Sequence, residues 1–135
     1  MRRILTGLLV LTALAVAPAA PAVAADALTV QIRANQVTLN PDGTVTVPLR
    51  LRCSSPLYAF EAGVGVTQGG TFGGTSVVGG AFPACTGKWQ QLSYTVTAEY
   101  GTFTSGTATV TAYVGLYDPV EDQDVFVEDT ATVRL

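Results

Sequence analysis

Thr44-Val45-Thr46-Val47-Pro48-Leu49-Arg50-Leu51-Arg52-Cys53 is the stretch that decides the fold. Val45, Val47, Leu49, Leu51 and Cys53 share one side of an extended chain, and Thr44, Thr46, Pro48, Arg50 and Arg52 share the other. Side chains of a strand alternate between its faces, so the pattern is a strand with one side on a core and one in water. It sends Cys53 inward. Pro48 has no N–H for a ladder, which predicts an edge strand or a bulge at that point.

The same period extends outward in both directions. Upstream, Leu28, Val30 and Ile32 alternate with Thr29, Gln31 and Arg33, and a short Val37-Thr38-Leu39 segment follows. Asn40-Pro41-Asp42-Gly43 is a turn, because Pro presets φ and Gly accepts positive φ. Downstream of the Ser54-Ser55-Pro56 turn, Phe60, Ala62, Val64 and Val66 form an apolar face, with Gly63 and Gly65 opposite them. Residues Gly69 to Gly80 read as a glycine-rich loop whose far end Cys85 ties to the core. Leu92, Tyr94, Val96 and Ala98 continue a strand with which Trp89 is out of phase, predicting a bulge between Trp89 and Leu92. Ala108, Val110, Ala112, Val114 and Leu116 alternate with Thr and Tyr; Val125–Val127 and Ala131, Val133 and Leu135 close the domain as a strand pair or one bent strand. No helical period appears. About seven short strands separated by turns predict an all-β, immunoglobulin-like antiparallel β-sandwich.

Residues 1–25 precede this domain and read differently. Arg2 and Arg3 are followed by the apolar run Ile4 to Val16 and by Ala22-Val23-Ala24-Ala25. A basic start, a short apolar core and an A-x-A site make a secretory signal peptide, with cleavage after Ala24 or Ala25 and Ala27 as a third position. The alternative, an uncleaved anchor, is opposed by Pro18 and Pro21, which interrupt a helix. The expected organisation is a signal peptide over 1–25 and a β-sandwich domain over 26–135, secreted and extracellular.

Composition then narrows the chemistry. Without Arg2 and Arg3, five cations face ten acids, a net charge near −5. That argues against nucleic acid and against anionic membrane surfaces. In an exported protein, Cys53 and Cys85 are expected to form a disulfide rather than remain as buried thiols. No histidine occurs, which removes Ser-His-Asp and Cys-His catalysis and the commonest transition-metal ligand. Met1 is the only methionine and leaves with the leader, so a His/Met copper site is excluded as well. An enzyme would need a carboxylate pair such as Glu61 with Glu99, and nothing in the spacing holds one. No catalysis is expected.

The Ala/Val/Thr/Gly bias, the leader and the Cys53…Cys85-x-x-x-Trp89 framework resemble the small secreted single-domain immunoglobulin-like β-sandwich proteins of high-GC Gram-positive bacteria, a family without assigned function. The resemblance implies the fold and adds no activity. The acidic, Gly/Thr/Ala-rich composition without His also resembles the chromophore-binding apoproteins of the neocarzinostatin type, which have two disulfides where this chain can form one. That resemblance implies a small-molecule carrier.

Three features are candidate sites. Asp118, Glu121, Asp122 and Asp124, with Glu128 and Asp129 beyond, gather carboxylates of the kind calcium takes; the competing reading is a solvated loop guarding a sheet edge. No other cofactor is expected. Tyr113 and Tyr117 lie on one polar strand face with Gly115 between them, and together with Trp89 form a candidate ligand face that can stack on sugar rings. The glycine-rich segment presents Phe72, Val77 and Val78 either as a binding flap or as a plain connection. The leading expectation is a monomeric, non-catalytic interaction or structural module whose partner is an extracellular protein, carbohydrate or small molecule. A carrier or a carbohydrate-binding module are the alternatives. A pocket between the sheets favours the carrier, and a flat aromatic face favours carbohydrate or protein binding.

Overall fold

The Val45–Cys53 alternation becomes the centre of a sheet. A computed structural model of the chain describes residues 28–79, 82 and 84–135, so the leader expected over 1–25 lies outside the described residues. The strands are β1 (Leu28–Ile32), β2 (Thr38–Leu39), β3 (Val45–Cys53), β4 (Tyr58–Gln68), β5 (Thr71–Val78), β6 (Trp89–Val96), β7 (Thr107–Asp118) and β8 (Gln123–Arg134). In one sheet β3 is flanked by β6 on one side and by β1 and β2 in tandem on the other. The second sheet has the order β5-β4-β7-β8, and every pairing is antiparallel. Strands β1, β3 and β6 facing β5-β4-β7-β8 make an immunoglobulin-like β-sandwich.

Four local expectations are corrected. The segment from Gly69 to Gly80 is not a loop: Thr71–Val78 is strand β5, paired with β4 from Gln68↔Thr71 to Glu61↔Val78. Gly80 lies outside the described residues. Glycine hides an alternation because it has no side chain to display it; Gly73 is needed because a Cβ there would run into the Thr97 carbonyl oxygen. Pro48 lies on the central strand rather than an edge. Its carbonyl accepts the Arg33 N–H at 2.9 Å, and within a strand the N and C=O of a residue point the same way. The missing N–H therefore falls in the interruption between β1 and β2.

Phe60 does not join Ala62, Val64 and Val66 in the core. A bulge between Ala59 and Glu61 inserts Phe60 as an extra residue and turns its ring to the outer face, while Ala59 packs inward. Conversely, no bulge separates Trp89 from Leu92, because β6 pairs with β3 without a shift from Arg52↔Trp89 to Val45↔Val96. Trp89 is out of phase simply because it belongs to the outer face. Gln90 takes the inner phase with Leu92, Tyr94 and Val96 and donates to the Ala84 carbonyl at 2.6 Å.

The space between the sheets is occupied by fully buried side chains. Val45, Val47, Leu49 and Leu51 of one sheet face Ala62, Val66, Val110, Ala112, Val114 and Leu116 of the other. Phe103, from the β6–β7 connection, is the largest fully buried side chain and plugs one end. Near the opposite end of β3, a Cys53–Cys85 disulfide ties the β5–β6 connection to the core. Both cysteines are thereby accounted for, and β8 is a single strand rather than a pair.

Candidate functional site

The outer face of β5-β4-β7-β8 carries most of the aromatic surface. Pairing register places Ser76, Gly63, Tyr113 and Glu128 in one cross-strand row, Gly74, Gly65, Thr111 and Thr130 in the next, and Val78, Glu61, Gly115 and Phe126 in a third. Each bare glycine makes room for a neighbouring ring. Tyr113 lies across Gly63, where a Cβ would overlap its ring. Phe60 and Phe126 meet over Gly115 as an edge-to-face pair with centroids 6.0 Å apart. Phe72 reaches over Gly65 and Gly74 at ordinary contact distance.

Phe72 and Tyr113 wall a shallow hollow of about 350 Å³, with Gly65 and Gly74 in its lining. Ser76 and Glu99 supply hydrogen-bonding groups around it. Glu99 is brought there by its backbone N–H, which donates to the Phe72 carbonyl at 2.9 Å across the gap between the sheets. The Tyr113 hydroxyl donates to Glu61 Oε1 at 2.9 Å. Burial first, and the Glu61 carboxylate second, hold the Tyr113 phenol above its ordinary value, partly opposed by Ser76.

Tyr113 and Tyr117 do share a face, as their spacing implies, but neither hydroxyl is free. Tyr117 donates to Asp122 Oδ1 at 2.6 Å, which raises its phenol as well. Trp89 is not part of this face. It lies on the outer side of the other sheet, in register with Arg52, and the Arg50 guanidinium stacks 4.8 Å from its ring centroid. The sequence reading missed Phe60 and Phe126. The Val125-Phe126-Val127 alternation was the available signal for Phe126, whereas Phe60 requires knowledge of the bulge.

The acidic segment is a hairpin turn between β7 and β8. Asp118 is buried, and its Oδ1 accepts the Val120 N–H at 2.9 Å and the Glu121 N–H at 3.4 Å. Asp122 adopts φ 53° at the tip, a left-handed conformation that Asp tolerates better than most residues. Asp118 thus faces the turn backbone and Asp122 faces Tyr117, while Glu121 and Asp124 point into solvent as exposed residues. Among the described residues no group of three or more carboxylates, cysteines or histidines is arranged to hold a metal ion. In the calcium candidate set Asp118, Glu121, Asp122 and Asp124, turn closure engages Asp118 Oδ1 and Asp122 Oδ1, and Glu121 and Asp124 stay in solvent.

A second hollow, of about 240 Å³, sits beside the disulfide and is lined by Ser55, Pro56, Leu57, Tyr58, Phe82 and Cys85. It lies at the rim, not between the sheets. Fold and surface together define an immunoglobulin-like sandwich that presents an aromatic outer face over a glycine floor. No family model matches the chain, and no curated protein matches it.

Proposed function

We propose that the protein is an exported, non-catalytic binding module whose ligand lies on the outer face of β5-β4-β7-β8. The observation that carries this is the hollow between Phe72 and Tyr113, where two ring walls stand over bare glycine. Phe72 is 44% exposed at the hollow, and Phe126 (60%) and Tyr58 (63%) are exposed on the same face, in rows beyond Tyr113. Exposed rings on one sheet face, rimmed by polar groups, are a mark of an interaction site. A structural disulfide fits an oxidising compartment, and among the described residues no helix is long and apolar enough to cross a membrane.

Within this reading, the polar lining favours a carbohydrate. Rings stack on the apolar side of a sugar, while Ser76 and Glu99 offer partners for its hydroxyls. The carrier reading is favoured less, because the space between the sheets is filled by side chains. Sedimentation of the purified protein with insoluble cellulose, chitin and xylan tests the proposal. Retention on at least one of them, abolished by the Phe72→Ala/Tyr113→Ala double substitution, is expected. Retention unaffected by the double substitution would reject this face. A small molecule co-purifying with the protein, seen by native mass spectrometry, would replace the module with a carrier.

A further inference from the structure

The opposite face of the sandwich differs in charge. Strands β1, β2, β3 and β6 contain Arg50 and Arg52 and no acidic residue, whereas β4, β7 and β8 carry Glu61, Asp118, Asp124, Glu128 and Asp129. Arg33 follows β1 and Lys88 precedes β6, so of the five cations in the described residues only Arg134 lies away from this sheet. An acidic protein has thus gathered its positive charge on one side.

Arg50 and Arg52 alternate with the buried Leu49, Leu51 and Cys53, so both project outward. Across the face the register runs Thr29–Arg52–Trp89 and Gln31–Arg50–Gln91. Arg50 Nη2 donates to Gln31 Oε1 at 2.7 Å and its guanidinium stacks on Trp89; Arg52 Nε donates to the Gly87 carbonyl at 3.0 Å. An amide, an indole and a peptide carbonyl orient these guanidiniums without neutralising them. Arg33, Arg50 and Gln31 line one open hollow of about 460 Å³.

We infer that this face binds an acidic polysaccharide, with uronate carboxylates taken by Arg33 and Arg50 in the hollow and by Arg52 beside it. Guanidiniums pair with carboxylates through two parallel hydrogen bonds. The neutral groups around them decide the class of anion. Gln31, Gln91 and Ser93 match sugar hydroxyls, and the exposed part of Trp89 matches the apolar side of a pyranose. A bare phosphate polymer would use the arginines and leave these groups without a role. The site is separate from the aromatic face of the other sheet and does not depend on it.

Trp89 is the only tryptophan in the chain, so its fluorescence reports on this face alone. Titration of the purified protein with polygalacturonate at about 20 mM salt is expected to give a saturable change, weakened about tenfold or more at about 300 mM. Arg33→Gln and Arg52→Gln, which leave the Arg50–Trp89 stack in place, each weaken binding by about tenfold. Neutral dextran produces no change. Absence of a response to polygalacturonate, an equal response to polyphosphate or to dextran, or undiminished affinity in the Arg33→Gln/Arg52→Gln double variant would each overturn the assignment.

Discussion

The Asp129 carboxylate accepts the Ile32 N–H at 2.7 Å, joining residues 97 positions apart on outer strands of opposite sheets. Arg33 N–H turns inward to Pro48, so the Ile32 N–H one residue earlier points away from β3, toward the open edge. An unpaired edge N–H is a place where another chain can add. Asp129 occupies it from β8, as an inward-facing charge on an edge strand.

Replacing Asp129 with Ala is expected to cost about 1.5–3 kcal/mol, the range for a hydrogen bond to a charged group. The sharper readout is local: hydrogen exchange at the Ile32 amide should accelerate beyond what the global loss explains. Asp129→Asn, which keeps an acceptor oxygen, should slow that exchange again. Unchanged Ile32 exchange in Asp129→Ala would remove the capping role.

Stability should fall at alkaline pH through Tyr113. Its folded phenol is raised above the ordinary value of 10.0 by burial and by Glu61. The folded state thus keeps a proton that the unfolded chain gives up first. This contribution is complete below pH 10.0 and is lost as pH rises through the raised value. Melting temperatures followed across that window should decline less steeply in Tyr113→Phe than in the parent.

Two adjacent glycines on β5 should respond oppositely to alanine. At Gly73 a Cβ would run into the Thr97 backbone oxygen, which cannot swing aside, so Gly73→Ala should cost about 3 kcal/mol. At Gly74 the nearest atoms would be 3.6 and 3.7 Å away, an ordinary contact. Gly74→Ala should be neutral or stabilise by about 0.5 kcal/mol by restricting the unfolded chain. Urea midpoints that fail to separate the two variants would contradict the strand assignment.

The disulfide closes a loop between residues separated by 32 positions. Chain entropy then assigns it about 3–4 kcal/mol, so Cys53→Ala/Cys85→Ala should lower the urea midpoint accordingly. A much smaller loss would mean that the β5–β6 connection is already restrained by other contacts when reduced.

What could be read along the chain depended on whether side chains displayed the strand period. Val45 to Cys53 and Ala108 to Leu116 displayed it fully, and their inward residues are the centre of the core. The Thr71–Val78 strand was invisible because two glycines sit where alternation should show. Trp89 was misread because an amide, Gln90, occupies the inner phase that apolar residues usually mark. At Phe60 one inserted residue reversed the face of a ring. In the acidic segment the residue types were visible, but the hydrogen bonds that commit Asp118 to the turn and Asp122 to Tyr117 were not.

The sequence by itself determined an all-β sandwich and which chemical groups the chain can offer, because alternation is a local property and the absence of histidine is a matter of composition. Which strands are neighbours is a matter of long-range pairing, and only the tertiary structure decided it. That pairing separates Trp89 from Tyr113 by the full thickness of the sandwich and lays Phe126 beside Phe60 over Gly115. It also divides the charge, with Arg50 and Arg52 on one sheet and most carboxylates on the other. A face is made by residues distant in the chain, so its composition is written only when register brings them together.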